Sequence, residues 1–211
     1  MHGWESRGAQ LGALVRPLVQ DGHEVILFDA KAHGDTPGRL VDARDFMDAV
    51  LAVAAREGEL HAVVAHSMGG MAAAGARRFG ARAARWVVMG SPLSPEGAVA
   101  YLKRMLALSP AVVARVEQKL ADRFETSWHS LVEGELFGGG DAPLLVVHDR
   151  EDEDVPFAHA ARIARAWGPA EVHATEGLGH RRILWDAGVV ERVRGFVAGE
   201  PRVVASAGDA A

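Results

Sequence analysis

Apolar positions along the chain follow two alternating spacings. Leu11, Leu14, Val15, Leu18 and Val19 recur at helical intervals, and Asp21-Gly22 ends the run. Val25-Ile26-Leu27-Phe28 is a short continuous apolar run, the pattern of a strand covered on both faces. A turn-rich stretch from Asp29 to Gly38 leads to a predicted helix from about Asp42 to Glu57, ended by Gly58. The same alternation then repeats. A strand at Ala62-Val63-Val64-Ala65 precedes an Ala-rich helix reaching Phe79, and Trp86-Val87-Val88-Met89 gives the next strand. Leu144-Leu145-Val146-Val147 precedes a helix from Phe157 to Trp167, a weaker strand lies near Glu171 to Ala174, and a last helix covers Val189 to Val197. Strands alternating with helices predict an α/β protein with a mostly parallel sheet flanked by helices.

Ser91 to Asp141 breaks the rhythm. It holds no convincing strand, but Tyr101 to Leu108 and Val112 to Phe124 have helical spacing, so a small helical cap over about residues 92–141 is expected. Gly138-Gly139-Gly140 reads as its flexible return, within a single domain over residues 1–199. The tail from Glu200 to Ala211 is small and polar and is expected to be disordered.

Composition narrows the function. The chain has 211 residues, 49% hydrophobic and 24% charged, enough for a sizeable core. With 23 basic and 28 acidic residues the net charge is −5, which supplies no excess to neutralise phosphates and argues against nucleic acid as a partner. Cys is absent, which excludes disulfides, thiolate catalysis and cysteine-ligated metals. No apolar run approaches the ~20 residues of a membrane span, and Met1 to Arg7 hold no stretch suited to a signal peptide. A cytoplasmic location is expected.

The most informative stretch is Val63-Val64-Ala65-His66-Ser67-Met68-Gly69-Gly70-Met71. A strand runs into Ser67 and a helix begins directly after it, with glycines where the two must approach closely. This pattern fits a nucleophile elbow, whose tight turn exposes a serine hydroxyl; Ala65 stands where the first glycine of G-x-S-x-G is usual. The helix N-terminus and the Met68 amide could then stabilise developing negative charge. An ordinary serine N-cap would leave the same local pattern. A nucleophilic serine needs a base, and the base an orienting acid. An acidic run from Asp149 to Asp154 follows a strand, and Gly177-Leu178-Gly179-His180 presents a histidine between the last strand and the last helix. Each alone could be a solvated surface feature. The order Ser67, Asp152, His180 makes joint coincidence improbable.

These residues resemble the α/β-hydrolase superfamily, in its serine-nucleophile esterase and lipase-like branch, from the start of the chain to about Ala198. The resemblance rests on His2-Gly3-Trp4, Phe28 through Thr36, Ala65 through Gly70, His148 through Pro156, and Gly177 through His180. It implies Ser67 as nucleophile, His180 as base and Asp152 as orienting acid. The register that members of the superfamily typically keep, with the acid four residues after the strand-end histidine and three before a Val-Pro pair, implies Asp152 rather than Asp149 or its competitor Asp154. The resemblance also implies an oxyanion hole from the backbone amides of Met68 and Trp4, with the Trp4 side chain lining an acyl pocket. His33 is expected to shape a turn and His66 to pack behind the nucleophile; Trp128 and His129, both in the insertion, could face the pocket, with a core role expected for Trp128.

The expected function is carried by these residues. It is serine hydrolysis of a small-molecule ester or acyl substrate, most simply a carboxylic ester, through an acyl-enzyme on Ser67 and with no cofactor or metal. Acyl transfer, perhydrolysis and C–C hydrolysis could use the same groups, and a catalytically silent binding protein is the alternative from another class. In the superfamily an interior strand leads into His-Gly. Here only Met1 precedes His2, so an N-terminally shortened form is expected, ahead of a partner chain filling the slot or the flanking strands pairing directly.

Overall fold

The computed structural model describes residues 1–199; the tail from Glu200 onward, expected to be disordered, lies outside the described residues. A 3₁₀ turn (Gly8–Leu11) leads into helix α1 (Gly12–Gln20), and α2 (Ala43–Glu57) follows a long loop. The start of α2 is fixed by a reciprocal cap, in which Asp42 accepts from the Arg44 and Asp45 amides while the Asp45 carboxylate accepts from the Asp42 amide. Then come β1 (Leu60–His66), α3 (Met68–Arg78), β2 (Ala83–Met89), α4 (Glu96–Met105), α5 (Pro110–Arg123) and α6 (Trp128–Val132). The chain closes with β3 (Leu144–Asp149), α7 (Ala158–Trp167), β4 (Ala170–Thr175), the single turn α8 (Gly179–Arg182) and α9 (Ala187–Ala198).

The strands form one parallel sheet in the order β1-β2-β3-β4. Side chains alternate across it with the two-residue period of a strand. Val63, Ala65, Trp86, Val88, Leu144 and Val146 join a core with α2, α3 and α7. Val87, Met89, Leu145 and Val147 join a second core with α1 and α9. Cover on both faces explains the continuous apolar runs.

Two expectations are corrected. Val25 to Phe28 is not a strand, because among the described residues no backbone bonds to it to complete a ladder. The backbone paired along the outer edge of β1 is that of Met1, whose amino terminus donates to the Val64 carbonyl at 2.7 Å and whose carbonyl accepts from the His66 amide at 3.0 Å. The three glycines at 138–140 are not a loose return. The Arg77 guanidinium donates to the Gly138 and Gly139 carbonyls, and a Cβ on Gly140 would lie 2.3 Å from the Trp167 ring. The stretch from 92 to 141 is helical, with α4, α5, α6 and a 3₁₀ turn at Glu135–Phe137. Its second half is part of the core, since Phe124, Leu131, Leu136 and Phe137 are buried with α2 and α3.

Candidate active site

Ser67 sits between the last residue of β1 and the first of α3, with φ 54° and ψ −130°. A side-chain-bearing residue holds such a backbone only where its surroundings impose it. The crowding here is evident from the neighbouring glycines. A Cβ on Gly3 would come within 2.7 Å of the Ser67 Cβ, one on Gly69 within 2.3 Å of the His2 carbonyl, and one on Gly70 within 2.6 Å of the Ser91 Oγ. Gly69 and Gly70 therefore admit the N-terminal loop and the β2–α4 connection, a closer approach than strand to helix alone.

The Ser67 Oγ lies 3.0 Å from His180 Nε2, and His180 Nδ1 lies 2.8 Å from Asp152 Oδ2. Asp152 is buried, and its other oxygen accepts from the Asp154 and Val155 amides at 3.0 and 2.8 Å. The Asp154 side chain points to solvent. Asp149 is buried too, but it accepts from Thr175 Oγ1 and from the amides of Leu178 and Glu151, so it ties the end of β3 to the loop carrying His180. Burial by itself would push its carboxyl up; the bonds it accepts outweigh this and hold it below the usual carboxylate range.

The contacts of two groups around this hydrogen-bonded chain escaped the sequence reading. Gly90, at the end of β2 with φ 54°, leaves space that a Cβ would fill, 3.1 Å from His180 Nδ1 and 3.3 Å from Asp152 Oδ2. His148 donates from Nε2 to the Val155 carbonyl at 2.9 Å and lies 3.5 Å from Asp152 Oδ2; burial pushes its pKa down. The strand-end position of both was legible, but their contacts are not. His66, expected to pack behind Ser67, donates from Nε2 to the His180 carbonyl at 2.9 Å. Burial, foremost, and the nearby His180 ring push its pKa down to about 3.

The N-terminal loop is fastened by two more histidines. His2 donates from Nδ1 to the Gly3 carbonyl at 2.7 Å and accepts from the Ala30 amide at Nε2, 2.9 Å away. His33 accepts from the Glu5 amide at 3.2 Å and donates to the Lys31 carbonyl at 3.1 Å. Residues 2–5 are thus held against Ala30 to His33, with Gly3 against Ser67 and Trp4 next in line. The Trp4 ring is 48% exposed, stacked on Phe46 and edge-on to His33. Met68 opens α3, so its amide belongs to the unpaired end of that helix. Trp128 and His129 begin α6 far along the insertion, and Trp128 packs against the main core.

A model described as the alpha/beta hydrolase family matches residues 1–193. Similar solved structures include an esterase from Exiguobacterium antarcticum (13% identity, TM-score 0.71, 94% of this chain and 90% of that one). Another is an esterase from Rhodococcus sp. ECU1013 (18%, 0.68, 95% and 90%). A third is a monoacylglycerol lipase from Paleococcus ferrophilus (19%, 0.69, 94% and 92%). No curated protein matches the chain.

Proposed function

The chain belongs to the alpha/beta hydrolase family, and we propose that within it the protein is a serine hydrolase acting on small-molecule carboxylic esters. The observation that carries this reading is the continuous hydrogen-bonded chain Ser67–His180–Asp152, with the serine hydroxyl on a positive-φ turn at the head of α3.

With Asp152 accepting from Nδ1, the His180 imidazole has its Nε2 lone pair free for the Ser67 hydroxyl proton. The Ser67 oxygen attacks the ester carbonyl as its proton passes to Nε2. The resulting imidazolium is stabilised by the buried carboxylate and gives the proton to the departing alkoxide. Water then enters, and its oxygen attacks the acyl carbon as His180 removes its proton; the Ser67–acyl bond breaks, His180 returns the proton to the Ser67 oxygen, and the carboxylic acid is released. The amides of Met68 and Trp4 are the proposed donors to the tetrahedral oxyanion. An oxyanion donor is typically worth ~2.7–4 kcal/mol. That the structural neighbours include esterases and a lipase supports this substrate class.

The test is a fluorophosphonate probe together with a series of p-nitrophenyl esters of increasing chain length. Labelling and turnover that both vanish in Ser67→Ala are expected. A wild-type protein that is folded, unlabelled and inert toward the esters would instead be a binding protein on a hydrolase fold.

A further inference from the structure

Among the described residues, the exposed large apolar side chains Tyr101, Leu102, Met105, Leu106 and Val112 stand together on the hairpin of α4 and α5. Helix α4 buries only Val99 and α5 only Ala121. Every residue from Ala100 to Ala107 is exposed, more than a full helical turn, so no face of that end of α4 is covered. Met105 is 60% and Leu106 64% exposed, values that leave each side chain mostly in water. The turn is nonetheless closed by hydrogen bonds. The amides of Leu106 and Leu108 donate to the Leu102 and Lys103 carbonyls at 3.0 and 3.1 Å. Ser109 Oγ accepts from the Val112 amide at 3.4 Å, and Pro110 opens α5. The exposure therefore belongs to a formed hairpin and not to an unwound loop.

Charge singles out what this tip can meet. Lys103, Arg104 and Arg115 are the charged residues between Gly97 and Val116, in a chain whose net charge is −5. At about 100° per residue, Tyr101, Leu102, Met105 and Leu106 span an arc of about 140° on α4, and Lys103 and Arg104 stand about 60° beyond its two ends. Arg104 leans toward the Tyr101 ring, with 5.8 Å from its guanidinium carbon to the ring centroid. An apolar arc flanked by long cations is the pattern of a helix lying in a lipid–water interface, its cations reaching back to the headgroups. A second copy would set the same cations against each other across a two-fold contact. A projecting tip also offers no groove to a peptide.

We propose that the α4–α5 tip docks on the surface of an anionic lipid bilayer, with Tyr101, Leu102, Met105 and Leu106 inserted and Lys103, Arg104 and Arg115 against lipid phosphates. Docking of this kind is peripheral, and among the described residues no helix is long and apolar enough to cross a membrane. The hairpin leaves the sheet at the carboxyl end of β2, the same end of the sheet at which Ser67 stands.

The 211-residue chain is sedimented with vesicles of phosphatidylcholine alone and with vesicles carrying about 30% phosphatidylglycerol. Binding to the anionic vesicles is expected to be at least about 30-fold tighter, since each of the cations near the surface contributes several-fold, and to weaken as salt is raised. Met105→Ser together with Leu106→Ser should cut binding to the anionic vesicles at least about tenfold, through lost apolar insertion. Lys103→Gln, Arg104→Gln and Arg115→Gln together should leave the two kinds of vesicle bound alike. Both variants alter exposed side chains, so Tm should stay within about 2 °C of the unmodified chain. A folded 211-residue chain that does not sediment with anionic vesicles, full binding by the serine variant, or an anionic preference that survives the Gln substitutions would each overturn the proposal. So would a dimer in solution that the serine variant breaks apart, which would assign the tip to a second copy.

Discussion

His66 donates from Nε2 to the carbonyl oxygen of His180, 2.9 Å away, so the residue that precedes Ser67 holds the backbone of the residue hydrogen-bonded to Ser67. One strand end thereby fixes both partners of a contact that spans 113 positions in the chain. The two imidazoles lie 4.7 Å apart between centroids. In the proposed mechanism, keeping His66 neutral spares His180 a like charge at the moment it becomes an imidazolium.

His66→Ala leaves the His180 carbonyl without its donor, and a buried polar group left unpaired costs about 1–3 kcal/mol. Ester turnover is expected to fall on the order of tenfold in kcat with KM little changed, since the loss is in aiming the base. His66→Asn, which keeps a donor, should recover part of kcat. An equal loss in both variants would mean that only the volume of His66 matters.

Asp152→Asn should cut kcat by about 10⁴-fold, because the amide favours the wrong imidazole tautomer. Asp154→Asn should leave kcat within a few-fold, its side chain being exposed. Asp149→Asn should act mainly on Tm, since the Asp149 carboxylate fastens Thr175, Leu178 and Glu151 rather than touching His180. Steady-state kinetics with calorimetry on the three variants separates these roles.

At position 67 stability and activity should part. A positive φ at a residue with a Cβ costs on the order of 1 kcal/mol, a cost glycine does not bear. Ser67→Gly is therefore expected to melt above Ser67→Ala while both lack turnover. Gly90→Ala should lose on both counts, in stability at its own positive φ and in activity by placing a methyl 3.1 Å from His180 Nδ1. Its kcat should fall at least tenfold.

What the sequence discloses and what it withholds divide along a physical line. The strands and helices around Ser67, Asp152 and His180 follow from local periodicity and turn chemistry, and these three residues each stand where a strand ends. Val25 to Phe28 has the composition of a buried strand, but a strand exists only through hydrogen bonds to a neighbour, and composition says nothing of the neighbour. The glycines at 138–140 look flexible as a string; it is Trp167, remote in sequence, that requires Gly140 bare, and Arg77 that holds the Gly138 and Gly139 carbonyls. Gly90, His148 and the donor role of His66 likewise depend on partners brought together only by the fold.

Acid should weaken the fold in a defined window. The folded state holds His66 near 3, below its ordinary 6.5, and the Met1 amine near 5, below its ordinary 8.0, in both cases chiefly through burial. For each group the unfolded chain therefore takes up a proton at a pH where the folded chain does not, and stability falls wherever that is so. The Met1 contribution is present above about pH 8 and is lost as pH falls toward 5. That of His66 is present above about 6.5 and is lost as pH falls toward 3. Denaturant midpoints should thus drop from pH 8 to pH 5 and again below pH 6.5. His66→Phe should flatten the lower part of the profile alone, whereas joining a residue ahead of Met1 replaces the buried amine with a peptide N–H and should flatten only the upper part. If both variants keep the full acid slope, the two buried groups are not what drives it.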